Sequence, residues 1–211
     1  VIKGENAREC DGDATHLDDR GTGLMIAHVC HLSGVATLTN RYVTEAARGG
    51  GAKVWDTRKT TPGWRWLEKM AVRAGGGTNH RTGLYDMVMV KDNHLQAAGD
   101  LAEIQAGIDR ARAIRPGIAI EIEADTPGQV RDFLTLRGVD VIMLDNMPLN
   151  EMAECVKLSH GTGVKLEASG GVTLERLPEI AATGVDFISS GALTHSVKAL
   201  DLSLDFDGTA L

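Results

Sequence analysis

The residues of this chain best suited to chemistry are cations placed where apolar runs give way to loops. Between Lys53 and His94 stand eight Lys or Arg against four Asp or Glu, locally +4 in a chain of net charge −7. Thr57, Arg58 and Lys59 follow the run AKVWD, Lys91 follows YDMVMV, and His80 and Arg81 lie between them. Arginine offers flat two-toothed forks and lysine a point charge, so the set suits a small ligand carrying several carboxylates or phosphates. Nucleic acid is a poor fit, because the acidic remainder of the chain would repel it. A solvated basic face is the plainer reading, but it does not account for cations at strand ends.

Carboxylates occupy similar places. Glu123 and Asp145 close two apolar runs, where packing has no use for them. Oxygen ligands of this kind suit magnesium or the hydroxyls of a sugar; the alternative is a pair of acids that balance Lys59 or Lys91. Two glycine turns, Ser169-Gly170-Gly171 and Ser190-Gly191-Ala192, follow two further runs. Glycine lets a backbone approach a phosphate closely, and free N–H groups at a helix start supply donors. Any tight strand-to-helix turn also needs glycine, but two in succession favour a phosphate. His195, a turn further on, adds a possible donor. His28 and His31 in HVCH have no third ligand at metal-site spacing, so they read as core or interface histidines.

The elements that must carry these residues alternate. Strands are predicted at Ala52–Thr57, Asp86–Lys91, Ile118–Ala124, Val139–Asn146, Val164–Ser169 and Val185–Ser190. Helices are predicted at Leu24–Ala47 (broken near Ser33-Gly34), Trp64–Ala74, Leu101–Ile114, Pro127–Leu136, Leu149–Ser159 and Leu174–Ala182. Thr126-Pro127 and Thr173-x-x-Arg176 mark helix starts; Gly138, Gly161 and Gly184 mark stops. Near-continuous apolar strands between helices mean an α/β fold with a covered parallel sheet. Six units are too few for an eight-fold barrel. The expectation is an incomplete or open α/β barrel of about six parallel strands with helices outside; a doubly wound sheet is the alternative. In both, ligands gather at the carboxyl ends of strands, where every residue named above falls.

The motifs also carry a resemblance. DTRKTTPG, GGGTNHRTGLYDMVMVKDNH, EIEAD, IMLDN, LEASGG and SSGALTHS stand in the order and spacing of quinolinate phosphoribosyltransferase, the decarboxylating nicotinate-nucleotide pyrophosphorylase. The match runs from about Leu32 to Phe206. It implies transfer of phosphoribose from phosphoribosyl pyrophosphate to quinolinate with magnesium, giving nicotinate mononucleotide, pyrophosphate and carbon dioxide. Arg58, Lys59, His80, Arg81 and Lys91 would then surround the pyridine dicarboxylate, and Glu123 and Asp145 would face the ribose and the metal-bound pyrophosphate. Lys59, Lys91, Glu123 and Asp145 are the candidates for catalysis. The resemblance also implies an N-terminal α/β domain, so residues 1–22 read as its remnant or a linker and 23–211 as the barrel. One departure stands out: Gly23 occupies the position of a family arginine that reaches the neighbouring subunit's site, and Arg20 is out of register.

Two other readings compete. One is a barrel lyase that forms an imine through Lys59, Lys91 or Lys165; the other is an inactive binding or assembly module. A molybdenum-associated relative is opposed by the intact TRKTTPG and NHR blocks. Cys10, Cys30 and Cys155 form no C-x-x-C pair, and no apolar run approaches the ~20 residues of a membrane span. The expectation is a cytoplasmic protein without membrane contact. The helix from Leu24 to Ala47 is apolar on most sides, which predicts a homodimer.

Overall fold

The computed structural model describes residues 2–3, 19–91, 93–94 and 100–204. In chain order its elements are β1 (Ile2–Lys3), α1 (Asp19–Gly49), β2 (Lys53–Trp55), α2 (Arg65–Ala74), β3 (Met87–Val90), α3 (Leu101–Ile114), β4 (Ala119–Ala124) and α4 (Pro127–Phe133). There follow β5 (Val141–Asp145), α5 (Leu149–Ser159), β6 (Lys165–Ser169), α6 (Leu177–Ala182), β7 (Phe187–Ser189), α7 (Ala192–His195) and β8 (Ser203–Leu204). Six strands form one parallel sheet in the order β2-β7-β6-β5-β4-β3. A doubly wound sheet reverses its strand order partway. Here β3 to β7 run in sequence and the first strand then joins the last, which is the arrangement of a sheet curling into a barrel.

The ring does not close between β2 and β3. One residue partly fills the gap: Thr78 bridges in parallel to Trp55, with its N–H donating to the Val54 carbonyl at 2.8 Å. From there the chain passes through His80 and Arg81, and Arg81 Nη1 donates to the Met87 carbonyl on β3 at 3.4 Å.

The outer strand face supplies the core. Ile120, Ile122, Ile142, Leu144, Leu166 and Ile188 are almost fully buried in one cluster with Val130, Phe133, Met152 and Ile180 of the helices. Each such side chain contributes about 1.5–3 kcal/mol. The inner face differs from expectation. The sequence suggests near-continuous apolar strands, yet β4 alternates, with Glu121 and Glu123 interleaved among the isoleucines and both buried. The barrel interior is therefore partly polar.

Helix starts follow their capping residues in two cases. Thr126 and Gln129 form a reciprocal capping box with Pro127 in the first turn of α4, and Asp100 caps α3 by accepting from the Glu103 N–H. Thr173 is not a start: α6 begins at Leu177, with Arg176 at its cap making no side-chain capping bond. The predicted Pro127–Leu136 helix ends at Phe133. The expected break at Ser33-Gly34 is absent, and α1 runs unbroken from Asp19 to Gly49, across the 22/23 boundary drawn from the sequence. Gly34 serves packing instead, since a Cβ there would lie 2.5 Å from the Lys198 carbonyl oxygen. The antiparallel pair β1–β8 was not foreseen.

His28 stacks on Trp64 at 4.1 Å, and His31 Nε2 lies 2.8 Å from Glu68 Oε1, so both serve the α1–α2 contact. Cys30 and Cys155 are free thiols, and burial pushes the Cys155 thiol up to about 11; Cys10 lies outside the described residues. Among the described residues no helix is long and apolar enough to cross a membrane.

Candidate active site

A cleft of about 750 Å³ opens at the carboxyl ends of the parallel strands. Every sequence-predicted site residue lines it: Thr57, Arg58 and Lys59 after β2, His80 and Arg81 from the gap, Lys91 after β3, Glu123 on β4 and Asp145 on β5. Ser169, Gly170 and Gly171 follow from β6, then Ser190, Gly191, Ala192 and His195 after β7. Lys165 is elsewhere. It is the first residue of β6, at the opposite end of the strand, and its Nζ pairs with Asp186 at 2.8 Å, which removes it as an imine-forming candidate.

The cationic wall is held from below. Asp56 is fully buried; its Oδ1 accepts from Lys69 Nζ at 2.6 Å and from the His80 backbone N–H at 2.8 Å, and its Oδ2 accepts from Asn79 Nδ2 at 2.8 Å. Lys69 Nζ also donates to the His80 carbonyl at 3.1 Å. The pair thus ties the gap segment to the end of β2. Desolvation raises the Asp56 pKa, and Lys69 offsets only part of that rise. Arg58 and Arg81 make no ion pair among the described residues, and Arg58 Nε is buried without a partner. Burial, then the like charge of Arg58, lowers the Arg81 pKa. Two desolvated guanidinium groups repelling each other favour an anion between them.

The anionic wall faces them. Glu123, Asp125 and Asp145 bring carboxylate oxygens within 4.8 Å of one another. Lys91 Nζ pairs with Glu123 Oε2 at 2.8 Å, so this acid is shared with a lysine, as the plainer reading of the sequence allows. The donor set is all oxygen, which fits magnesium.

Two loops close the far side. Gly170 has φ +85, and a Cβ there would lie 2.2 Å from Asn146 Oδ1, so no larger residue fits beneath that amide. Gly191 sits against the His195 ring and the Lys59 stem, and Thr194 Oγ1 donates to the Lys59 carbonyl at 2.6 Å. The second glycine loop is thereby fastened to the first cationic loop.

On the cleft floor His80 and Glu167, both strand-end or gap candidates from the sequence, meet Glu121, which the sequence reading missed. His80 Nε2 is 2.9 Å from Glu121 Oε2 and 3.4 Å from Glu167 Oε2, and all three residues are buried. Trp55 packs edge-on to the His80 ring at 4.9 Å and stacks on Phe187. Burial opposes charge on His80, but hydrogen bonds with Glu121 and Glu167 outweigh it and push the ring up to about 9. Desolvation and then the neighbouring Glu167 charge push Glu121 up to about 8. Glu167 is also desolvated, yet bonds from His80 and Glu121 hold it below its ordinary value. The ring therefore favours its charged form, and of the two acids Glu167 favours the charged form more than Glu121 does. The signal was the period-two IEIEA pattern, in which each Glu shares a face with the next.

A family model described as the quinolinate phosphoribosyl transferase C-terminal domain matches residues 35–205. The chain is 47% identical over 204 residues to a probable nicotinate-nucleotide pyrophosphorylase [carboxylating] of Bacillus subtilis, covering 96% of this chain and 68% of that protein. It is 44% identical to the corresponding enzyme of Mycobacterium leprae, covering 86% and 63%. The crystal structure of NadC from Streptococcus pyogenes superposes with a TM-score of 0.79 at 39% identity, over 88% of this chain and 63% of that one. The chain thus spans roughly two thirds of the length of these relatives. With the strand order, the strand-end cleft and the sequence likeness in agreement, the chain belongs to the quinolinate phosphoribosyltransferase family, where it corresponds to the C-terminal barrel domain.

Proposed function

We propose that the cleft transfers phosphoribose from phosphoribosyl pyrophosphate to quinolinate with loss of carbon dioxide, a step of NAD biosynthesis. The carrying observation is that Arg58 and Arg81, without ion pairs among the described residues, share one cleft with a cluster of three carboxylates and with both glycine loops. Quinolinate supplies two carboxylates for the cations, and the 5′-phosphate of the donor suits the backbone N–H groups of Ser169–Gly171 and Ser190–Ala192.

The pyridine nitrogen lone pair forms the bond to the anomeric carbon as the bond to pyrophosphate breaks. Positive charge grows on the sugar, and Glu123 and Asp145 stabilise it. The quaternised ring then accepts the electron pair of the adjacent carbon–carboxylate bond, carbon dioxide leaves, and that ring carbon takes up a proton. Glu123 and Asp145 would hold magnesium, which would supply countercharge for pyrophosphate. Lys59 and Lys91 add point charge beside the reacting groups. No covalent enzyme intermediate is required; positioning and electrostatics suffice.

The test is release of labelled carbon dioxide from quinolinate, with and without phosphoribosyl pyrophosphate and magnesium. Release that ignores the donor overturns the reading. A second reading, a binding module without turnover, draws on Gly23 at the family arginine position. Its signature is thermal protection by phosphoribosyl pyrophosphate without product. A cytoplasmic homodimer is part of the first reading. Leu24 and Met25 on α1 and Trp66 and Met70 on α2 are exposed apolar groups near the α1–α2 contact, and they support pairing with a second copy. Light scattering on a dilution series checks it: a stable monomer at micromolar concentration refutes the dimer.

A further inference from the structure

The proposed reaction gives His80 a place beside the ligand but leaves Glu121 and Glu167, the acids at its ring, without a task. Glu121 does not line the cleft and is fully buried, and among the described residues its Oε1 has no hydrogen-bond partner; Glu167, also buried, has the His80 ring 3.4 Å from its Oε2. Two buried glutamates are costly, and apolar side chains of the same volume would fill the interior better. Packing therefore does not explain them.

Their geometry does. Glu121 comes from β4 and Glu167 from β6, with β5 between, and both reach across the interior to a ring carried by the segment in the gap. The backbone of that segment is pinned separately: Asp56 takes the His80 N–H and Lys69 binds the His80 carbonyl. With Nε2 held by the glutamates, Nδ1 is the polar atom of His80 that makes no hydrogen bond among the described residues. The next residue is Arg81, whose guanidinium sits against the Met87 carbonyl and Met89 Sδ at the cleft wall.

We infer that Glu121 and Glu167 are positioning residues: through the His80 ring they set where His80 and Arg81 present their charges to the ligand. The inference rests on the proposed function for the identity of that ligand. Glu121 lies behind the cleft wall and acts through the ring, while Glu167 reaches the cleft floor. Losing the bond leaves a buried ring N–H unpaired; the ring then turns toward another acceptor and the Arg81 fork moves with the backbone.

The experiment uses the full chain and two variants, Glu121→Leu and Glu121→Gln. Binding of quinolinate and of phosphoribosyl pyrophosphate is measured separately by calorimetry, and the His80 ring N–H is followed by NMR. Glu121→Leu weakens quinolinate by roughly tenfold or more and the donor by less than about twofold, and the His80 signal shifts or broadens. Glu121→Gln keeps an acceptor and restores quinolinate binding to within about threefold. Unchanged quinolinate binding beside a displaced His80 signal overturns the inference, as does equal weakening of both ligands, which marks a merely structural role. Should Glu121→Leu not fold, Glu167→Leu carries the same readouts. A parent chain that binds no quinolinate defeats the functional reading alone. The ring signal then still decides, because an unmoved His80 in the Leu variant means the glutamates do not hold it.

Discussion

Replacing Lys69 by Met isolates the strut beneath the cationic wall. Lys69 is 2% exposed and Asp56 fully buried, so the change leaves the stem volume nearly intact and strands a carboxylate. Asp56 keeps two donors, Asn79 Nδ2 and the His80 N–H, but loses the ammonium at 2.6 Å. Breaking a buried pair from one side costs about 3–5 kcal/mol. In a chain of this size each kcal/mol moves Tm by ~2–4 °C, so the expected loss is roughly 6–20 °C. The pH dependence has a definite sign. Asp56 is already raised above 3.8 in the fold, so the folded state holds its proton more tightly than the unfolded chain does. That contribution is present at acid pH and lost as pH rises through the folded value. Lys69 opposes the rise, and removing it moves the folded value further up. The Lys69→Met deficit is therefore largest at neutral pH and shrinks on acidification. Urea unfolding of parent and variant at pH 7.5 and pH 5 measures both effects. A deficit under about 1 kcal/mol, or one that grows on acidification, refutes the assignment.

Three further outcomes are expected. Arg81→Ala weakens quinolinate binding by roughly 2–5 kcal/mol and the phosphoribosyl donor much less; equal loss of both in calorimetry makes Arg81 structural. Asp145→Asn lowers kcat more than it raises KM, because sugar charge develops only in the transition state, and steady-state kinetics showing KM alone raised would place the acid in ground-state binding. The His80 ring titrates near 9, against 6.5 for a free ring, so its stabilising contribution is complete below 6.5 and disappears as pH rises through about 9. NMR titration checks the midpoint, and a value near 6.5 would show the ring unpaired.

The site was legible because a parallel barrel collects strand ends in one place: Arg58, Lys91, Glu123, Asp145 and Ser169 converge once the strands are recognised. What lies one layer down was not. Glu121 stands in a strand that reads as apolar, and its partner His80 sits in a gap where, among the described residues, Thr78 makes the one isolated strand bridge. Such pairing depends on how far the sheet curls, which no local pattern records. Asp56 was passed over for a related reason, since its value lies in Lys69, a residue that reads as the solvent face of an amphipathic helix. Gly34 shows the converse error. A glycine within a helix was read as a break, but the backbone at Lys198, far along the chain, required the missing side chain.

The pairing of the first sheet strand with the last has a consequence for how the protein comes into being. β2 registers Trp55 with Ser189, and Thr194 then clasps the Lys59 carbonyl. During synthesis, the loop bearing Arg58 and Lys59 waits for Thr194, 135 residues beyond Lys59, before its neighbour exists. Contacts so distant in sequence are slow to form, since loop closure precedes their reward. Until they form, the cleft is incomplete: a chain shortened before β7 already carries Arg58, Lys59, His80, Arg81 and Lys91, but it lacks the second glycine loop and the strand that pairs with β2. The seam thus joins the cation loop to the second glycine loop as soon as β7 and the turn after it have been made.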